Sequence, residues 1–238
     1  MRHGSFFTGI GGFDLAAEDM GWETIFQVEK NPYCRQVLRK NFPKVKTIYE
    51  NIIGQDFSAY RGGVNIISGG FPCTQTSVAA QIHDYRDGLK GVDSGLWYEY
   101  LRAAGEIRSN WIVVENVSGV KKWGHIIQKG LEDLGYAISS LAIKACDFGL
   151  PHKRRRIIYV ANANGKRLAL PRAARSSSIE WVERLTTHGG SWLDSAPGTP
   201  GIINGVPHRM DRVKALGNAI SPEMALEIFQ LIKVAESR

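Results

Sequence analysis

The chain has 238 residues, 43% hydrophobic and 22% charged, enough for one main domain of ordinary globular composition with room for a small appended lobe. Thirty Lys and Arg against 23 Asp and Glu give a net charge of +7 and a pI near 9.4, a field that attracts polyanions such as nucleic acid without by itself selecting them. Cys34, Cys73 and Cys146 are odd in number and lack CxxC spacing, which excludes a disulfide framework and a cysteine-rich zinc site. With no run of about 18 apolar residues, a membrane span is excluded too, and a cytosolic protein is expected.

In chain order, short apolar runs alternate with helical stretches. SFFTG at 5–9, TIFQVE at 24–29, VKTIYE at 45–50 and VNIISG at 64–69 read as strands. WIVVEN at 111–116, YAISSLAI at 136–143 and RIIYVAN at 156–162 continue the series, the last two as an antiparallel pair. Such alternation predicts an α/β protein with a mostly parallel seven-stranded sheet. FDLAAEDMG, PYCRQVLRKNF, LWYEYLRAAGEI and IIQKGLEDLG carry apolar residues three and four apart and read as the intervening helices. From residue 162 to 208 the rhythm stops and Gly, Pro, Ser and Arg accumulate. That region reads as a small subdomain, the alternative being a solvated loop, which Trp181, Leu185 and Trp192 argue against. A last helix is predicted in SPEMALEIFQLIKVAE, with Ser221 as cap, Pro222 in the first turn and Glu223 favourable to the dipole.

FFTGIGGFDLA is a strand, a glycine turn and a helix start. Gly9, Gly11 and Gly12 allow positive φ and close approach of a ligand, and the helix N-terminus favours an anionic group. Glu29, at the end of the second apolar run, stands where an acid accepts hydrogen bonds from ribose hydroxyls. The pair suggests a nucleoside-containing cofactor, but leaves a nicotinamide dinucleotide, S-adenosylmethionine and a plain strand-helix turn all open.

Three more groups fall at the predicted active edge of the sheet: GGFPC at 69–73, ENV at 115–117 and GLPHKRRR at 149–156. Singly, each has a plain explanation: a buried thiol, a strand-end turn and a solvated basic face. Together with ALGNAISP at 215–222 and the glycine turn, they resemble, in order, the motifs of the C5-cytosine DNA methyltransferase family.

The resemblance implies a Rossmann-like class I methyltransferase fold. It divides the chain into a catalytic and cofactor-binding domain at 1–161, a short target-recognition region at 162–208, and a C-terminal motif and helix at 209–238. It implies methyl transfer from S-adenosylmethionine, leaving S-adenosylhomocysteine, to C5 of a cytosine flipped out of duplex DNA, with no metal. Cys73 would add to C6, and Glu115 would hold N3 and supply a proton, which needs a carboxyl group that burial makes easier to protonate. Arg156 and Arg154 would contact the base and orient the glutamate. Phe7 would stack on adenine, Gly9, Gly11 and Gly12 would accommodate the methionine part and Glu29 would bind the ribose, while Asn51, Pro72, Leu96 and Asn218 would line the same pocket. A monomer is expected, in the cytoplasm of a bacterial, archaeal or phage-infected cell, with a cognate restriction enzyme as a possible partner.

The chain departs from the family pattern at Thr74, where Gln is usual, at His152, also usually Gln, and at Asn51, often Asp. The recognition region is short for the family. An RNA-directed relative is the nearest alternative, but its Cys-Phe-Thr signature is absent. A nicotinamide oxidoreductase leaves Cys73, Glu115 and the arginines unexplained, and a zinc deaminase lacks its PCxxC and HxE motifs. A non-catalytic binder is disfavoured by the intact Cys73, Glu115 and Arg156.

Overall fold

The computed structural model describes residues 1–72, 95–117, 124–144, 146, 155–166, 168 and 209–237. Its centre is one seven-stranded sheet formed by β1 (Arg2–Phe6), β2 (Glu23–Val28), β3 (Thr47–Tyr49), β4 (Ile66–Gly69), β5 (Trp111–Val117), β6 (Ala137–Lys144) and β7 (Arg155–Asn162). The order is β3-β2-β1-β4-β5-β7-β6. The first five strands are mutually parallel, and β7 runs antiparallel between β5 and β6. This is the Rossmann-like order implied by the motifs. The chain's first αβ units spread outward from β1 on one side and from β4 on the other, leaving a crevice at the carboxyl ends of those two strands.

Among the described residues six α-helices flank the sheet: α1 (Gly12–Asp19), α2 (Pro32–Asn41), α3 (Leu96–Ile107), α4 (Gly124–Asp133), α5 (Arg209–Asn218) and α6 (Pro222–Glu236). On one face Phe6, Phe26, Val28, Ile67, Ile112 and Val114 pack with Trp97, Tyr100 and Ala104 of α3 and Ile127 and Leu131 of α4. On the other face Ile66, Trp111, Val113, Ile158 and Val160 pack with Phe13 and Ala17 of α1 and Phe229 and Ile232 of α6. The central strands are apolar on both faces because helices cover both.

The end of β1 and the cap of α6 differ from the sequence reading. β1 begins at Arg2 and stops at Phe6, because Phe7 and Gly9 have φ of +50° and +59° and break the extended chain. Ser221 does occupy the N-cap of α6, but its side chain makes no capping bond; its hydroxyl donates to the Glu223 carboxylate instead. Among the described residues, no helix is long and apolar enough to cross a membrane.

Beneath α1 the sheet carries a buried polar layer. Asp14 is fully buried and accepts from Ser5 Oγ at 2.9 Å and Gln27 Nε2 at 2.8 Å. Burial raises its pKa from 3.8 to about 6, against the lowering effect of those two bonds. Between these values the folded protein keeps a proton that the unfolded chain has released, so Asp14 costs stability as pH rises through this window. His3, held between Thr24 Oγ1 and Ser68 Oγ, has the opposite sign. Burial lowers its pKa from 6.5 to about 3, and stability is lost as pH falls across that range. Asp14→Asn keeps hydrogen-bonding groups toward Ser5 and Gln27. It is expected to stabilise the protein by on the order of 3 kcal/mol above pH 7, a difference that vanishes near pH 4. Urea unfolding at several pH values measures this, and a pH-independent difference would exclude Asp14 as the titrating group.

Candidate active site

The carboxyl ends of β1 to β5 lie at one edge of the sheet, and β7, being antiparallel, begins there: Arg156 pairs with Val117 and Ile158 with Glu115. Topology alone therefore brings the glycine turn, Glu29, Asn51, Pro72, Glu115 and Arg156 to a common edge.

The turn after β1 is built around a strained residue. Phe7 is a non-glycine in the left-handed region, a conformation that costs about 1–3 kcal/mol and clusters at ligand sites. Its ring is half-buried, with the centroid 6.2 Å from that of Tyr100. The glycines serve different purposes. A Cβ at Gly9 would meet nothing within 4 Å, whereas at Gly11 it would enter the Phe42 ring and at Gly12 it would strike Ile220 of the α5–α6 connection. Gly9 thus borders open space, whereas Gly11 and Gly12 leave room for neighbouring atoms of the protein.

Glu29 clasps this turn to the end of β2. Its Oε2 accepts from Gly9 N and its Oε1 from Asn31 N, both at 2.7 Å. Burial raises its pKa, opposed by these backbone bonds and by Arg35. Arg35, a residue with no motif to mark it, donates to the carbonyls of Glu29 and Lys30 and pairs with Glu50 at 3.0 Å. It ties the ends of β2 and β3 together. Asn51 follows, exposed, with Oδ1 accepting from Ile53 N at 3.1 Å. Leu96 opens α3, half-buried against the core. Asn218 closes α5, exposed, two residues before Ile220.

At the β5 end, Glu115 and Asn116 are 8% and 1% exposed. Arg156 Nε lies 2.5 Å from Glu115 Oε1, with the arginine side chain 15% exposed. An ion pair this buried is costly to desolvate. Gly70, in the run leading from β4 toward Cys73, completes the arrangement. A Cβ there would lie 2.5 Å from Glu115 Oε2, so the glycine vacates the volume that the carboxylate occupies. The doubled glycine of GGFPC was its only trace in the sequence. Pro72 is half-buried beside the buried Phe71. Cys73 and Arg154 lie outside the described residues, as does most of region 162–208. Among the described residues, no group of three His, Cys, Asp or Glu could hold a metal ion.

The description C-5 cytosine-specific DNA methylase matches residues 1–188. A type II methyltransferase of Psychrobacter sp., M.PspPI, is 36% identical over 160 residues, covering 65% of this chain and 38% of that protein. M.Eco47II of Escherichia coli is 32% identical over 164 residues, again covering 38% of its length. The aligned chain thus spans well under half of these relatives. Solved structures share the fold: a putative DNA modification methyltransferase encoded within an E. coli prophage superposes with a TM-score of 0.57 at 21% identity, over 72% of this chain and 49% of that one. S. pombe Dnmt2 methyltransferase gives 0.56 at 18%, over 69% and 50%. With the family match extending over residues 1–188, more than half of the sequence, the chain belongs to the C-5 cytosine-specific DNA methylase family.

Proposed function

We propose that the protein transfers a methyl group from S-adenosylmethionine to C5 of a cytosine flipped out of duplex DNA. The observation that carries this reading is the buried Glu115–Arg156 pair, held against Gly70 three residues before Cys73.

The residues around the β1 turn fit the cofactor. Phe7 supplies an aromatic face, Gly9 leaves the open space beside it, and Glu29, already accepting two backbone bonds, retains lone pairs for ribose hydroxyls. When bound, the cofactor supplies a methyl group on a sulfonium, ready for displacement by a carbon nucleophile. Cytosine C5 is a poor nucleophile until C6 is attacked. The Cys73 thiolate forms the S–C6 bond while Glu115, ionised beside Arg156 in the free enzyme and protonated as the base enters, passes that proton to N3, so the ring accepts the electron pair without building up negative charge. C5 would then take the methyl group as the sulfonium–methyl bond breaks and S-adenosylhomocysteine is left. Loss of the C5 proton to a base, expulsion of the Cys73 thiolate and return of the N3 proton to Glu115 restore the aromatic ring and the free enzyme. Arg156 stays charged throughout and holds the carboxyl group toward the base.

The net charge of +7 suits a polyanionic substrate. Labelled-methyl transfer to duplex DNA and to tRNA, followed by mapping of 5-methylcytosine, tests the proposal. Transfer to DNA supports it; transfer to tRNA alone would assign the RNA substrate instead.

A further inference from the structure

The wall of the crevice beyond Asn51 has little secondary structure of its own. Residues 50–57 follow β3 as a loop, with one backbone bond from Gln55 N to Ile52 O at 3.3 Å and the turn at Asn51. Ile52 and Phe57 anchor this loop in the core by burial, and the polar ties to its backbone come from α3, chiefly from Arg102. Arg102 NH2 donates to the Ile52 carbonyl at 2.9 Å, and NH1 to the Gln55 carbonyl at 3.0 Å. Its guanidinium is held flat by carboxylates on either side along the helix: Glu99 Oε2 accepts from Nε at 3.0 Å and NH2 at 2.9 Å, and Glu106 Oε1 from NH1 at 2.6 Å. The other oxygen of Glu106 accepts from Phe57 N at 2.9 Å. Both ends of the loop are thereby bolted to α3. The same helix opens with Leu96, six residues and about 9 Å of rise before Arg102.

We propose that Arg102 is a positioning residue that fixes the loop carrying Asn51 relative to Leu96, and so sets the width of the cofactor crevice. The inference rests on the cofactor reading given above. Only a planar fork with donors in several directions can serve two carbonyls and two carboxylates together; a lysine has three donors at one point. The side chain is about one-third exposed, so its ion pairs contribute little to global stability. Their effect is on the loop. If the freed loop visits the bound arrangement about a tenth of the time, apparent cofactor affinity falls about tenfold.

Calorimetric titration of S-adenosylhomocysteine into the full chain tests this, using wild type, Arg102→Ala, Arg102→Lys and Arg61→Ala, with thermal unfolding as the check on folding. Arg61 also donates to α3, at the Gly105 carbonyl, but holds neither Ile52 nor Gln55. The expected result is about tenfold weaker binding for Arg102→Ala and an intermediate loss for Arg102→Lys. Wild-type affinity is expected for Arg61→Ala, and kcat at saturating cofactor should change less than about twofold in all three. Equal affinity of folded Arg102 variants and wild type would overturn the inference, as would equal weakening by Arg61→Ala. If Arg102→Ala fails to fold, Arg102→Lys decides. Failure of the wild type to bind would instead overturn the cofactor reading, and the inference with it.

Discussion

Cys73→Ala is expected to lower methyl transfer to DNA by at least about 10⁴-fold while changing cofactor affinity less than about twofold, because the thiol acts on the base and not on the methionine. No neighbouring group can replace it: the reaction needs an atom that adds to C6 and later leaves, and a carboxylate or guanidinium does neither well at this carbon. Single-turnover transfer of labelled methyl groups, with calorimetry on the same preparation, separates chemistry from binding. Turnover retained in the alanine variant would rule out Cys73 as the nucleophile. Weakened cofactor binding with it would mean that the residue supports the pocket rather than attacking the base.

The second large effect concerns the carboxyl group of Glu115. Glu115→Gln preserves shape and most hydrogen bonding but has no acidic proton for N3, and kcat is expected to fall by about 10²–10⁴-fold. Gly70→Ala makes the complementary test, since it leaves the acid intact and moves it. The added methyl would lie 2.5 Å from Glu115 Oε2, and the carboxylate, the end of a flexible side chain, must swing away from its place beside Arg156. A displacement of about 1 Å is enough to cost up to 10²-fold in a positioned catalytic group. The ranking expected is therefore wild type above Gly70→Ala above Glu115→Gln, each with unchanged cofactor affinity. A Gly70→Ala enzyme running at the wild-type rate would show that the carboxylate's position against Arg156 is immaterial.

Strand-helix alternation made the sheet legible from the sequence, and α3 was placed without error at Leu96–Ile107 because its apolar positions repeat cleanly at three and four. Periodicity carries no information on neighbours, so the insertion of β7 between β5 and β6 came only with the structure. The helix α5 has no counterpart among the elements read from the sequence. Its sequence, RMDRVKALGN, mixes charge and glycine and shows little apolar stripe. The site was legible as motifs and not as a mechanism of assembly. Glu29 was marked by its position after β2, but Arg35, Gly70 and Arg102 act through carbonyls or through absent volume, and neither leaves a residue-type signature.

The direction of β7 has a bearing on how much chain is available for reading a target. Arg156 stands at the chemical edge of the sheet, and Asn162, paired with Trp111, at the opposite one. The chain therefore leaves β7 at the edge opposite Arg156. Leu168 N is still bonded to Ser139 Oγ of β6, and Lys166 Nζ to the Ala235 carbonyl near the end of α6. Returning along an eight-residue strand means recovering about 26 Å, or roughly eight residues of extended chain. If residues 162–208 read the target, as the motifs imply, that detour uses up part of a segment of fewer than fifty residues. A designer wishing to broaden or change the target should lengthen the chain after this return rather than at Asn162, where added residues would only project from the edge that faces away from the chemistry.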